Sequence, residues 1–278
     1  MRINLNEMFK RHTGYAIAGF NVFDYNDASA VIAAAEEMNL PVILMVNRGA
    51  AEHMPIKYMG PMLAAMADDA RVDVCVHLDH AIDIERIREA VESGFSSVMY
   101  DGSQLSFEEN VKNTCEVIAI AHPKGISVEA EIGSVGYSDM ASAVERYTEP
   151  EEAKAFYEAT GVDALAISVG TIHRLADRKI DVQFDRLARI RAAVDVPLVI
   201  HGATSVRDEE LRRLSEEGVR KINLGTCLRV AFGNGLRREF ENRPEEFDRI
   251  KLMEKPIIET KEAALGKLRL ICDLNHPV

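Results

Sequence analysis

The chain has 278 residues, 47% of them hydrophobic and 28% charged, with a formal net charge of −12. That balance is ordinary for a soluble globular protein with material for a large core. The acidity argues against a nucleic-acid partner, which needs clustered Lys and Arg over a broad face, but allows a small phosphorylated ligand held by a few local donors.

The opening stretch "MRINLNEMFK" lacks the apolar core of a signal peptide, and no later apolar run is long enough to cross a bilayer. The expectation is a cytoplasmic protein without a membrane partner. In chain order the predicted strands are "YAIAGFNV", "PVILMV", "DVCVHLD", "SSVMYDG", "SVEAEIG", "ALAISVG", "PLVIHGAT" and "KINLGT". Between them lie amphipathic stretches such as "DIERIREAVESG", "PEEAKAFYEATG" and "RDEELRRLSEEGV", with apolar residues three or four apart. These three close on Gly94, Gly161 and Gly218, the residue type that best ends a helix in the left-handed conformation. Four dispersed cysteines (Cys75, Cys115, Cys227, Cys272) show no metal spacing and read as reduced structural thiols.

Eight near-continuous apolar strands, each followed by a helix, suit a parallel sheet buried on both faces. With no long linker, the repeat predicts an α/β fold, a single (β/α)8 TIM barrel over residues 1–278, with an extra C-terminal helix after about residue 245. A doubly wound sheet is the alternative, but no "GxGxxG" follows the first strand.

In such a barrel, functional groups gather at the C-terminal ends of the strands. Strand three ends on Asp79 and His80, strand four on Asp101, Gly102 and Ser103, and strand five carries Glu129 and Glu131. Strand six leads to Thr171 and His173, strand seven to His201 and Gly202, and strand eight to Asn223 and Thr226. His80, His173 and His201 thus come from three separate strands at one rim, which is the distribution a three-histidine metal site requires. His77 shares the face of Asp79 and reads as a supporting residue, whereas His12, His53, His122 and His276 fall in helices or loops. Glu129 and Glu131 lie on one strand, unlike a glycosidase pair, which usually spans two elements. The segments "HGATS" and "NLGT" offer glycines and hydroxyls, either as turn formers or as a phosphate cradle. Schiff-base chemistry finds no lysine at the rim, since Lys221 opens strand eight at the opposite end.

Six segments in order resemble the class II, metal-dependent ketose-bisphosphate aldolases, especially the tagatose- and fructose-bisphosphate branch. They are "FNVFDYNDASAVIAAAEE", "HLDHAIDIERIREAVESGFSSVMYDGS", "SVEAEIGSVG", "YTEPEEAKAFYEATGVDALAISVGTIH", "VDVPLVIHGAT" and "KINLGTCLRVAF". The resemblance implies that His80, His173 and His201 hold one catalytic zinc per subunit. It implies Asp79 as the acid/base on the C4 oxygen, and Asp101 and Glu131 as ligands of a second or alternative metal position. It places the ketose phosphate against Gly202, Thr204, Asn223 and Thr226, with Ser103 also on the substrate side, and implies a homodimer or homotetramer.

Relatives carry a Glu on the loop after strand five as a second base. Here Tyr137 replaces a Gly of that loop and Asp139 falls nearest the Glu position, so Asp139 is the expected base, with Glu145 as fallback. Arg174 stands where relatives have a Gly whose backbone helps hold phosphate and a monovalent cation; here Arg174 is assigned to substrate. Asp24 and Asn26 replace a common Asn and Glu near the start. The expected activity is reversible cleavage of a ketose (bis)phosphate to dihydroxyacetone phosphate and an aldehyde. The alternatives are another phosphorylated or acidic keto-sugar, or a non-catalytic member supporting a partner subunit.

Overall fold

The computed structural model describes residues 1–137, 146–173 and 180–272, leaving aside the side chains of Tyr137, His173 and Ser205. Its strands, in chain order, are β1 (Ile17–Asn21), β2 (Val42–Val46), β3 (Val74–Ala81), β4 (Ser97–Tyr100), β5 (Ser127–Ile132), β6 (Gly136–Tyr137), β7 (Ala164–Ile167), β8 (Ile172–His173), β9 (Leu198–Ile200) and β10 (Lys221–Leu224). Eight of them close a barrel in the order β1-β10-β9-β7-β5-β4-β3-β2, with every neighbouring pair parallel. The two short strands β6 and β8 pair with each other beside this barrel. The predicted (β/α)8 architecture is the one observed.

Strand alternation divides the core in two. Residues such as Ala18, Phe20, Leu44, Val76, Val98 and Ile222 form the layer between strands and surrounding helices. Their neighbours Ile17, Ile43, Cys75, Met99, Ala164 and Val199 point into the barrel and pack with Ile3, Leu5, Met8 and Phe9. The last four come from an N-terminal segment and its short helix, Leu5–Arg11, which plugs the barrel at the N-terminal ends of the strands. Asn4 caps this helix by accepting from Glu7 N–H, and Leu5 N–H donates to Ser127 Oγ at 3.0 Å on β5. No element was assigned to this segment from sequence, because seven residues are too few to display a period.

The predicted helix ends hold: Gly94, Gly161 and Gly218 have φ of 90°, 63° and 88°. Asp24, one of the departures from the family pattern, caps the helix Tyr25–Met38 through the backbone N–H groups of Asn26 and Asp27. The C-terminal helix runs Arg249–Ile271, packed on the helices Thr226–Asn242 and Tyr25–Met38. β9 stops at Ile200, short of the apolar run that suggested it, because Gly202 turns the chain with φ 66°. A Cβ at Gly202 would lie 2.7 Å from the Ile172 carbonyl carbon, so the turn after β9 is seated on β8 by close backbone approach.

Met8 is fully buried in the plug. Met8→Ala should therefore destabilise the protein by about 2–5 kcal/mol in denaturant unfolding, the usual cost of a large-to-small core change.

Candidate active site

Strict alternation would send Asp79 inward and His80 outward, yet both face the interior. The register explains this: Leu78 pairs with Val98, but Ala81 pairs with Tyr100, so β3 carries one extra residue before the pairing resumes. That residue is taken up at His80, whose φ of 52° is left-handed. Histidine is among the few non-glycine types that enter this region with some frequency, and a bulge that re-aims a side chain is a recurring feature beside functional sites.

His80 and His201 then meet edge to face, with Nε2 of His80 2.8 Å from Nδ1 of His201. The far nitrogen of each ring faces a carboxylate: His80 Nδ1–H donates to Asp101 Oδ2 at 2.8 Å, and His201 Nε2–H donates to Glu129 Oε1 at 2.9 Å. Both ring protons are thereby assigned to the far side, and two lone pairs converge on one point. A proton or a cation must lie between such a pair, and neutral imidazole backed by a carboxylate is the usual form of a metal-bound histidine. The residues fit a divalent ion. Two overlapping groups of ligand atoms converge here, one from Asp79, His80 and His201 and one from His80, Asp101 and Glu131.

Three carboxylates near the histidines experience different environments. Burial disfavours the charge on Asp101, but the bonds from His80 and from the Ser103 hydroxyl and N–H outweigh it and hold this carboxyl below its usual range. Burial pushes Glu131 up to about 8, with the Asp101 charge adding to the shift. Among the described residues its buried Oε2 has no hydrogen-bond partner, and it lies 3.9 Å from His80 Nδ1, within the set of possible ligand atoms. Asp79 is also raised by burial, opposed by His80. Asn21 and Asn223 clamp Asp79 by donating their Nδ2 at 3.1 and 3.4 Å, and Asn47 in turn donates to Asn21 Oδ1.

These groups open into a cavity of about 590 Å³ whose wall also includes Ser103, Gly202, Thr204, Asn223 and Thr226. Of the residues singled out from sequence, Asp79, His80, Asp101, Ser103, Glu131, His201, Gly202, Thr204, Asn223 and Thr226 are thus gathered at one cavity. The backbone of His173 lies in β8, opposite Tyr137 of β6, while its side chain is outside the description. Asp139, Glu145 and Arg174 fall outside the described residues. Reading the sequence missed Asn21 and Asn47, and discounted Glu129 and Lys221. The available signal was a carboxylate and a lysine inside otherwise apolar barrel strands, which burial would force to pair. The Lys221 backbone does lie at the N-terminal end of β10, but its side chain rises through the interior and reaches Glu129 Oε2 at 2.7 Å.

Residues 3–275 match the family model described as "Fructose-bisphosphate aldolase class-II". The chain belongs to the class II fructose-bisphosphate aldolase family. It is accordingly an aldolase, a carbon–carbon lyase of a family that is generally metal-dependent. Among solved structures, this aldolase is similar to the YdjI aldolase of Escherichia coli K12, at 35% identity over 98% of this chain and 97% of that one, with a TM-score of 0.86. A fructose-bisphosphate aldolase from Campylobacter jejuni shares the fold, at 21% identity over 98% and 96% of the two chains and a TM-score of 0.83.

The raised carboxyl of Glu131 makes a test on the metal-free aldolase. From its ordinary value of 4.5 up to about 8, the folded state keeps a proton that the unfolded state has lost. Stability from this group is complete below the lower value and is lost as pH rises through the upper one. Relative to Glu131→Gln, the metal-free wild type should lose at most about 1.4 kcal/mol per pH unit across that window, read by urea unfolding at several pH values.

Proposed function

We propose that this aldolase reversibly cleaves a ketose phosphate, of the fructose- or tagatose-1,6-bisphosphate type, to dihydroxyacetone phosphate and an aldehyde. The observation that carries the proposal is the convergence of His80 Nε2 and His201 Nδ1 at 2.8 Å, with the clamped Asp79 beside them. His80 and His201, with His173, are the residues proposed to hold zinc, and Glu131 and Asp101 offer a neighbouring set. When bound, a divalent ion supplies Lewis-acid polarisation at the ketose carbonyl.

The chain's own residues supply the rest. Asp79 takes the proton of the C4 hydroxyl as the C3–C4 bond breaks and returns it in the synthetic direction. Its raised proton affinity suits that role, and the two Asn donors fix its plane, so that no reorganisation is needed at the moment of transfer. Gly202, Thr204, Asn223 and Thr226 are proposed for the ketose phosphate, where glycine backbone and hydroxyl donors suit a dianion. Asp139 is proposed as the base at C3 and Arg174 as a further substrate contact. No helix among the described residues is long and apolar enough to cross a membrane, and a cytoplasmic enzyme is proposed. Exposed Phe240, Phe247, Ile250 and Ile258 support assembly into a dimer or tetramer through the C-terminal helices.

Stripping metal with a chelator should abolish cleavage of ketose bisphosphates in a coupled assay, and adding zinc should restore it. Asp79→Asn should lower kcat by about 10²–10⁴-fold with zinc still bound. Full activity in the chelated protein, or a wild-type kcat for Asp79→Asn, overturns the proposal.

A further inference from the structure

Beneath the metal-binding rim lies a second polar layer that the proposed chemistry does not touch. Lys221, Glu129 and His77 are all fully buried, in the middle of a barrel whose next layer down is apolar. Lys221 Nζ is 2.7 Å from Glu129 Oε2 and 3.3 Å from His77 Nε2, and His77 Nδ1 is 2.8 Å from Ser97 Oγ. The other oxygen of Glu129 accepts from His201 Nε2–H. The directions are self-consistent: Lys221 can only donate, so His77 Nε2 accepts and His77 Nδ1–H donates to Ser97.

We infer that Lys221 and Glu129 are positioning residues for the metal site, and that the ammonium of Lys221 keeps Glu129 an acceptor aimed at His201. Without the ammonium, the contact that holds this carboxylate in the layer is gone, and the group is driven to turn away. That movement removes the acceptor that holds His201 with its proton on Nε2, and Nδ1 then no longer presents its lone pair beside His80. The inference rests on the metal site proposed above, and it assigns part of that site's affinity to a lysine whose backbone starts at the far end of the barrel. Partners of this kind, which orient a ligand through its other ring nitrogen, typically account for about 10–100-fold in metal affinity.

The test uses metal-free full-length protein, Co²⁺ titration followed by visible absorption, and Zn²⁺ affinity by competition with a chelator. Circular dichroism confirms that each variant is folded. Lys221→Met should weaken both ions about 10–100-fold. Because that variant leaves a buried charge and can fail to fold, two charge-balanced double variants decide the matter. Glu129→Gln with Lys221→Met keeps an amide carbonyl that accepts from His201, and it should bind within about threefold of wild type. Glu129→Leu with Lys221→Met offers no acceptor and should bind at least about tenfold more weakly than the Gln version. Equal affinity in the two double variants, or wild-type affinity in a folded Lys221→Met, overturns the inference. Failure of the wild type itself to bind either ion would instead overturn the metal site.

Discussion

Every strand of a closed barrel can show the interior only alternate side chains, and whatever enters must find its partners there. This constraint organises the whole aldolase. The lower layers are apolar and are sealed by the N-terminal plug of Leu5, Met8 and Phe9. Above them the inward positions become polar together, on β3, β5 and β10, so that His77, Glu129 and Lys221 satisfy one another. Only on that footing do Asp79, His201 and Asn223 stand at the rim. The one-residue bulge at His80 escapes the alternation and brings two consecutive polar residues to the same side.

The carboxylates of the site show how environment assigns roles to chemically equivalent groups. Asp101 is tied to a histidine and a serine and stays ionised, whereas Glu131, one of whose oxygens accepts no hydrogen bond from the described residues, favours its neutral form. Among the described residues Asp79 accepts from two amide donors, which bond a carboxylate without supplying charge. A group so held can give and take a proton, while Asp101 is suited to orient a ring.

Much of this was legible in the sequence, and the reasons are specific. The strands stood out because parallel strands covered on both faces are continuous apolar runs, and the helices because Gly94, Gly161 and Gly218 stop them. His80 and His201 were found because they end separate apolar runs at the same rim, and Asp101 and Glu131 because they match acidic positions of the family the segments resemble. Lys221 and Glu129 were not, because chain position says where a backbone lies and not how far a side chain reaches. Lys221 starts β10, yet its four methylenes carry the ammonium up to the level of Glu129. Asn21 and Asn47 escaped for a different reason: an amide at a strand end is commonplace, and only its contact with Asp79 or with the neighbouring amide gives it meaning.

The pairing of Lys221 with Glu129 also has a consequence for how the chain assembles. The two residues are separated by 92 positions, and Lys221 and His77 by 144. A nascent chain emerging from the ribosome would thus present β3 and β5 long before the strand that carries their cation. Without β10 the carboxylate of Glu129 has no ammonium beside it, and closing a barrel around it would gain little. The arrival of β10 supplies the missing ladder to β1 and β9 and the missing charge in a single event. Interior electrostatics thereby favour a barrel that includes β10 over one closed without it.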